Sequence, residues 1–131
     1  MRVVLDASGA IEVALDKKQR ARVAETLAAA DVILAPELFV PEVVNTIWKY
    51  YHIERMNLPT CDRAIEEALG MVDALVSTRE LWGEAFLLAR TARKPAYDMF
   101  YLALARREDA ALVTMDAALR SYAEAQGIRV A

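Results

Sequence analysis

Sulfur and imidazole chemistry is nearly missing from this chain: its 131 residues hold one cysteine, Cys61, and one histidine, His52. A lone cysteine forms no internal disulfide and supplies no zinc framework, which suits a reducing compartment. An excess of basic charge is missing too. Sixteen Lys and Arg against 19 Asp and Glu leave a net charge of −3, so a polyanionic ligand has to be met by local cations, not by a global field. Long apolar runs are also absent. The longest, Met99 to Ala105, falls well short of the roughly 18 residues that suggest a membrane span, and the opening Met-Arg-Val-Val-Leu-Asp is too polar for a secretory signal. No repeat, low-complexity segment or linker interrupts the chain. The expectation is one cytoplasmic domain over residues 1–131, with 56% apolar residues to build its core.

The order of apolar runs predicts an α/β fold with a central parallel β-sheet flanked by α-helices. Val3-Val4-Leu5 is a short, β-branched run leading into a turn, a buried strand. A helical stretch from about Ile11 to Ala30, broken around Asp16-Lys17-Lys18, separates it from a second strand at Val32-Ile33-Leu34, stopped by Pro36. That β-α-β order implies a parallel pair. Helices follow at Pro41 to Glu54, with an apolar stripe of Val44, Ile47, Trp48 and Tyr51, and from Thr60 or Asp62 to about Val76 on Ile65, Leu69, Val72 and Val76. Another runs from Thr78 to Arg93, and Asp98 opens the next. Ala111 to Thr114 is a third strand, Ala117 to Ala125 a last helix ending at Gly127, and Ile128 to Val130 an edge strand.

Four carboxylates stand out in this frame: Asp6, Glu42, Asp98 and Asp116. Asp6 and Asp116 end or closely follow apolar runs, and the space beyond the carboxyl ends of parallel strands is where ligands bind. Acids gathered there repel one another and raise their pKa unless a cation offsets the charge. Hard Mg²⁺ or Mn²⁺ is the natural partner for oxygen ligands, and the chemistry this suggests is metal-assisted phosphodiester hydrolysis. Asn45 is one helical turn from Glu42, so its amide can face the same site.

Val4 to Ser8, Pro36 followed by Glu42 and Asn45, Tyr97-Asp98 leading into Tyr101 to Ala105, and Leu112 to Asp116 come in the order found in PIN-domain ribonucleases. Over nearly its whole length the chain resembles that family, particularly the VapC-like toxins of toxin–antitoxin pairs. The resemblance implies cleavage of RNA dependent on Mg²⁺ or Mn²⁺, a homodimer, and an antitoxin whose tail enters the active site. It places the acidic quartet on Asp6, Glu42, Asp98 and Asp116, with Asp6, Asp98 and Asp116 as metal ligands, and the usual hydroxyls on Ser8 and Thr114. Those hydroxyls are expected to orient the carboxylates. Where many relatives carry basic residues after the last acid, Ala117-Ala118 follow here, which removes a phosphate contact.

Other features divide between structure and function. Arg90, Arg93 and Lys94 complement a helix C-terminus, yet precede Asp98 closely enough to hold an RNA backbone. Lys17, Lys18, Arg20 and Arg22 read first as a solvated face. Trp48 and Tyr51 read as core or dimer interface, Tyr50 as the exposed aromatic, Tyr97 and Tyr101 as packing beneath the site, and His52 and Cys61 as structural. A catalytically weak PIN-fold binding or regulatory protein is the rival reading; it needs a damaged acidic set, and all four acids are present. A phosphatase or receiver domain is disfavoured by Ser8, where a second acid is needed, and by the lack of a suitable lysine after Val113.

Overall fold

The computed structural model describes residues 1–131. Four parallel strands form the sheet: β1 (Arg2–Leu5), β2 (Val32–Pro36), β3 (Ala74–Val76) and β4 (Ala111–Val113). Their spatial order is β3-β2-β1-β4. The chain therefore winds outward from β1 through β2 to β3, then returns to add β4 on the other side of β1. That reversal is a topological switch point, and in open α/β sheets ligands bind beyond the carboxyl ends of the strands there, here β1 and β4.

Seven helices cover the sheet: α1 (Ala7–Ala14), α2 (Arg20–Ala29), α3 (Phe39–Glu54), α4 (Leu58–Gly70), α5 (Trp82–Ala92), α6 (Ala96–Arg107) and α7 (Ala117–Ala125). Val3, Val4 and Leu5 are wholly buried, as the continuous apolar run required. The most deeply buried helix is α6, with every residue from Tyr101 to Ala105 inaccessible or nearly so. The break between α1 and α2 falls where it was expected, with Asp16 turned into the left-handed region at φ 52°.

Several boundaries differ from the sequence reading. The helix expected to reach Val76 stops at Gly70, and Ala74–Val76 is a strand instead. The cause is long-range: Asp73 donates its backbone N–H to Ile33 O, and its carboxylate accepts from Ile33 N–H, both at 2.8 Å, so the chain is drawn alongside β2. Thr78–Glu80 forms a separate 3-10 turn before α5. At the C-terminus only Val130 bridges to Leu112, where a short edge strand was expected. The α3 stripe is rotated as well. Its buried side is Phe39, Val43 and Ile47, leaving Val44, Trp48 and Tyr51 exposed; Tyr50 is half-buried, not the exposed aromatic. On α4 the buried residues are Cys61, Ala64 and Ala68, small side chains that let α4 approach α1 and α3, with Ile65 and Leu69 at the margin.

Candidate active site

Asp6 is the pivot of the switch-point crevice. Its backbone N–H continues the β1–β4 ladder by donating to Val113 O at 3.1 Å, which sets it beside Thr114, and its side chain caps α1 by accepting from Gly9 N–H at 2.9 Å. Ser8 Oγ donates to Oδ1 at 2.7 Å and Thr114 Oγ1 donates to Oδ2 at 2.5 Å. Each hydroxyl has one proton and spends it on Asp6, so the 3.3 Å contact between Ser8 and Thr114 adds no further bond. As acceptors, the same hydroxyls take the N–H groups of Met115 (2.9 Å) and Asp116 (3.0 Å). Ser8 and Thr114 thus tie the first acid to the loop that carries the last one. Of the roughly four lone pairs on the Asp6 carboxylate three are used, leaving one to face a ligand.

Asp116 caps α7, its Oδ1 accepting from Ala118 and Leu119 N–H at 2.9 and 3.1 Å, while Oδ2 has no protein donor. Asp98, in the first turn of α6, makes no hydrogen bond or ion pair through its carboxylate and stands at the rim. Glu42, in the first turn of α3, accepts from the Tyr101 hydroxyl at 2.6 Å. Asn45 was expected to hold Glu42. It shares a small cavity with Glu42 and Tyr97, but the bond to Glu42 comes from Tyr101. Tyr101 lies one turn after Asp98 on α6, a spacing visible in the sequence, and its 1% exposure matches the expected packing role while hiding the polar one. Tyr97 is 70% exposed, so it does not pack beneath the site.

Mutual repulsion links Asp6, Glu42 and Asp98, and Asp116 acts on Asp98. Asp6 is pushed above the usual carboxylate range by burial, against the pull of Thr114, Gly9 and Ser8, and Asp98 pushes it further. Glu42 is raised by burial and by Asp98 and Asp6, with the Tyr101 bond opposing. Asp98 is raised by partial desolvation and by Asp116, with Lys94 offsetting part of the effect. Burial and Glu42 hold the Tyr101 hydroxyl far above its ordinary range, so it stays a protonated donor. No acid of the four has an Arg or Lys within ion-pair distance.

The donor set is all oxygen and carries unbalanced negative charge, which fits a hard divalent cation. As they stand, no three acidic side chains converge closely enough to form a ready-made cage, so the ligand-spaced cluster expected from the sequence is not preformed. Mg²⁺ does not require one, because it keeps several waters and takes one or two carboxylates.

The PIN-domain family model matches residues 3–125. The chain belongs to the PIN-domain family. This PIN domain is similar in structure to PAE2754 from Pyrobaculum aerophilum, with a TM-score of 0.75 and 20% identity over 93% of this chain and 84% of that one. It is also similar to the Mycobacterium tuberculosis VapC20, a Sarcin-Ricin loop cleaving toxin, with a TM-score of 0.66 and 14% identity over 96% of this chain and 95% of that one. A search of curated protein sequences gives no match.

Of the cations singled out in the sequence, Lys94 acts on Asp98. Arg90 lies over the Phe86 ring at 4.8 Å, and Arg93 closes α5 with φ 57°. No helix is long and apolar enough to cross a membrane.

Proposed function

We propose that this PIN domain is a divalent-metal-dependent endoribonuclease, the cytoplasmic toxin of a toxin–antitoxin pair. The observation that carries the reading is four carboxylates, none of them in an ion pair, at the switch point of a PIN fold, with Asp6 tied through Ser8 and Thr114 to the loop that carries Asp116. Asp6, Asp98 and Asp116 hold Mg²⁺ or Mn²⁺ in this reading. Such an ion would make a bound water more acidic, easing its deprotonation by a nearby base, and would offset charge on the phosphate. Ser8 and Thr114 keep the Asp6 carboxylate turned toward the crevice, and Tyr101 fixes one oxygen of Glu42. The other Glu42 oxygen would take a proton from the attacking water, a task for which a raised pKa is suited. Water would add to phosphorus, the bond to one ribose oxygen would break, and that oxygen would take a proton from solvent, leaving a hydroxyl and a phosphate end while Glu42 later returns its proton to solvent. Lys94 at the rim steadies the RNA backbone, with Arg90 and Arg93 further along the same helix end.

VapC20 is a toxin, and a toxin has to be neutralised in the cell that makes it. An antitoxin segment placing Arg or Lys among the four acids meets their charge bidentately and excludes the metal. The exposed Val44, Trp48 and Tyr51 of α3 and Trp82, Phe86 and Leu87 of α5 supply apolar surface for a homodimer.

The test is incubation of the purified protein with mixed RNAs, with and without Mg²⁺ or Mn²⁺. Discrete fragments that require metal and vanish with EDTA are expected. Intact RNA under all metal conditions, or cleavage indifferent to EDTA, refutes the reading.

A further inference from the structure

Three cavities follow one another along α3. At its N-terminal end Glu42 and Asn45 border the first; at its middle Thr46 and Tyr50 border a second of about 210 Å³ that begins at Ser8; at its C-terminal end Tyr50 and Glu54 border the third, the largest, of about 620 Å³. The second and third share Lys17 and Tyr50. That pair borders both, with the Lys17 ammonium resting against the Tyr50 hydroxyl and lying 5.0 Å from the ring centroid. Ser8 bonds Asp6 and Glu12 is the one acid that borders the second cavity, so the row of cavities along α3 begins beside the candidate active site.

The large cavity at the far end carries more cations than acids. Lys17, Arg55 and Arg63 line the large cavity, and none makes an ion pair. Two acids also border it: Asp16 is engaged by Arg20 at 3.4 Å, and Glu54 lies in the field of Lys17. In a chain of net charge −3, three cations outside any ion pair on one cleft, along the helix that carries Glu42, are a local answer to a polyanion. Lys17 is held in place before any ligand arrives, which reduces the ordering cost of binding.

We infer that this cleft is a backbone-binding subsite for single-stranded RNA, holding nucleotides on one side of the cleaved bond, with Lys17, Arg55 and Arg63 as its phosphate contacts. The inference rests on the ribonuclease reading above. From Glu42 to Arg55 the helix advances about 20 Å at about 1.5 Å per residue, and a stacked strand rising about 3.4 Å per nucleotide covers that with about six nucleotides. The contacts are to phosphate, so the subsite grips without reading sequence.

The test compares the wild-type chain with the triple variant Lys17→Gln, Arg55→Gln, Arg63→Gln, all at exposed positions, so the fold is preserved and circular dichroism verifies it. Substrates are an RNA oligonucleotide carrying a mapped cleavage site and the same RNA extended by about six nucleotides on its 5′ or its 3′ side. For the wild type, extension on one side is expected to raise kcat/KM about tenfold. The triple variant loses that gain through KM with kcat unchanged, and its dependence on log salt is shallower by about 2, from roughly 0.7 per phosphate contact on a single strand. A triple variant that keeps the length effect and the salt slope overturns the subsite while leaving the nuclease reading intact. If that result comes with weakened self-association in sedimentation, the cleft is a protein contact instead. No cleavage by the wild-type chain removes both.

Discussion

Tyr101 gives its hydroxyl to Glu42 in a position with almost no solvent, so removing that oxygen leaves a half-buried carboxylate without its donor. Tyr101→Phe is expected to cost about 1.5–3 kcal/mol of stability and to lower cleavage about 10–100-fold, the usual penalty for losing a group that orients a site residue. The bond pulls Glu42 down against burial and its acidic neighbours, so its loss raises Glu42 further and moves the acidic limb of the pH–rate profile to higher pH. A profile superimposable on the wild type would contradict this. Asp98 offers a cleaner electrostatic test, because its carboxylate bonds to nothing in the protein. Its folded pKa is raised above 3.8. Such a group favours the fold fully below its unfolded pKa, and that contribution is lost as pH rises through the folded value. Asp98→Asn without metal should therefore melt higher than wild type at pH 7, with the gain disappearing below about pH 3.8. Equal melting temperatures at pH 7 would show that the repulsion is already relieved by solvent.

The start of α1 depends on close approach to the sheet. A Cβ at Gly9 would lie 2.9 Å from Leu5 Cδ1 and 3.3 Å from both Val113 Cγ1 and Val113 O, and neither the buried leucine nor the strand carbonyl has room to yield. Gly9→Ala gains helix propensity of up to about 1 kcal/mol, but the overpacking, about 1–3 kcal/mol, should dominate. The variant is expected to lose stability in urea titration and to loosen the Asp6 cap; unchanged stability would mean α1 floats on the sheet. The same elements show what was legible in the sequence. Asp6 and Asp116 could be placed because short apolar runs end at or just before them, and a parallel sheet converts that into a shared edge. The strand β3 could not. Val72 and Val76 continue the period of Ile65 and Leu69, so nothing local separates Ala74-Leu75-Val76 from a helix; the deciding pair, Asp73 with Ile33, is 40 residues apart in sequence. The α3 face was misjudged for a related reason. Ile47 belongs to both possible stripes, and only the packing of α1 and α4 against α3 selects Phe39 and Val43 over Val44, Trp48 and Tyr51. Tyr101 read as core because it is core, and its bond to Glu42 joins α6 to α3 across 59 positions.

At the scale of the molecule, a net charge of −3 gives the few cations near the acids a large expected role if the proposed polyanionic substrate is to be held. Lys94 is the one of the basic run whose field reaches Asp98, whereas Arg90 is stacked on Phe86. Lys94→Ala should raise KM several-fold across unrelated RNAs and flatten the salt dependence by about 0.7, with Arg90→Ala milder; equal effects of the two would place the strand along α5 instead. The central claim is that the four acids bind the ion that makes this fold a ribonuclease. Its most direct test is the rate of RNA cleavage against Mn²⁺ concentration for the wild-type chain and Asp98→Asn side by side. The wild type should rise from zero to saturation, and the variant, folded and at least as stable without metal, should stay at least about 100-fold slower at every concentration. A variant that matches the wild-type curve would contradict the assignment of the site.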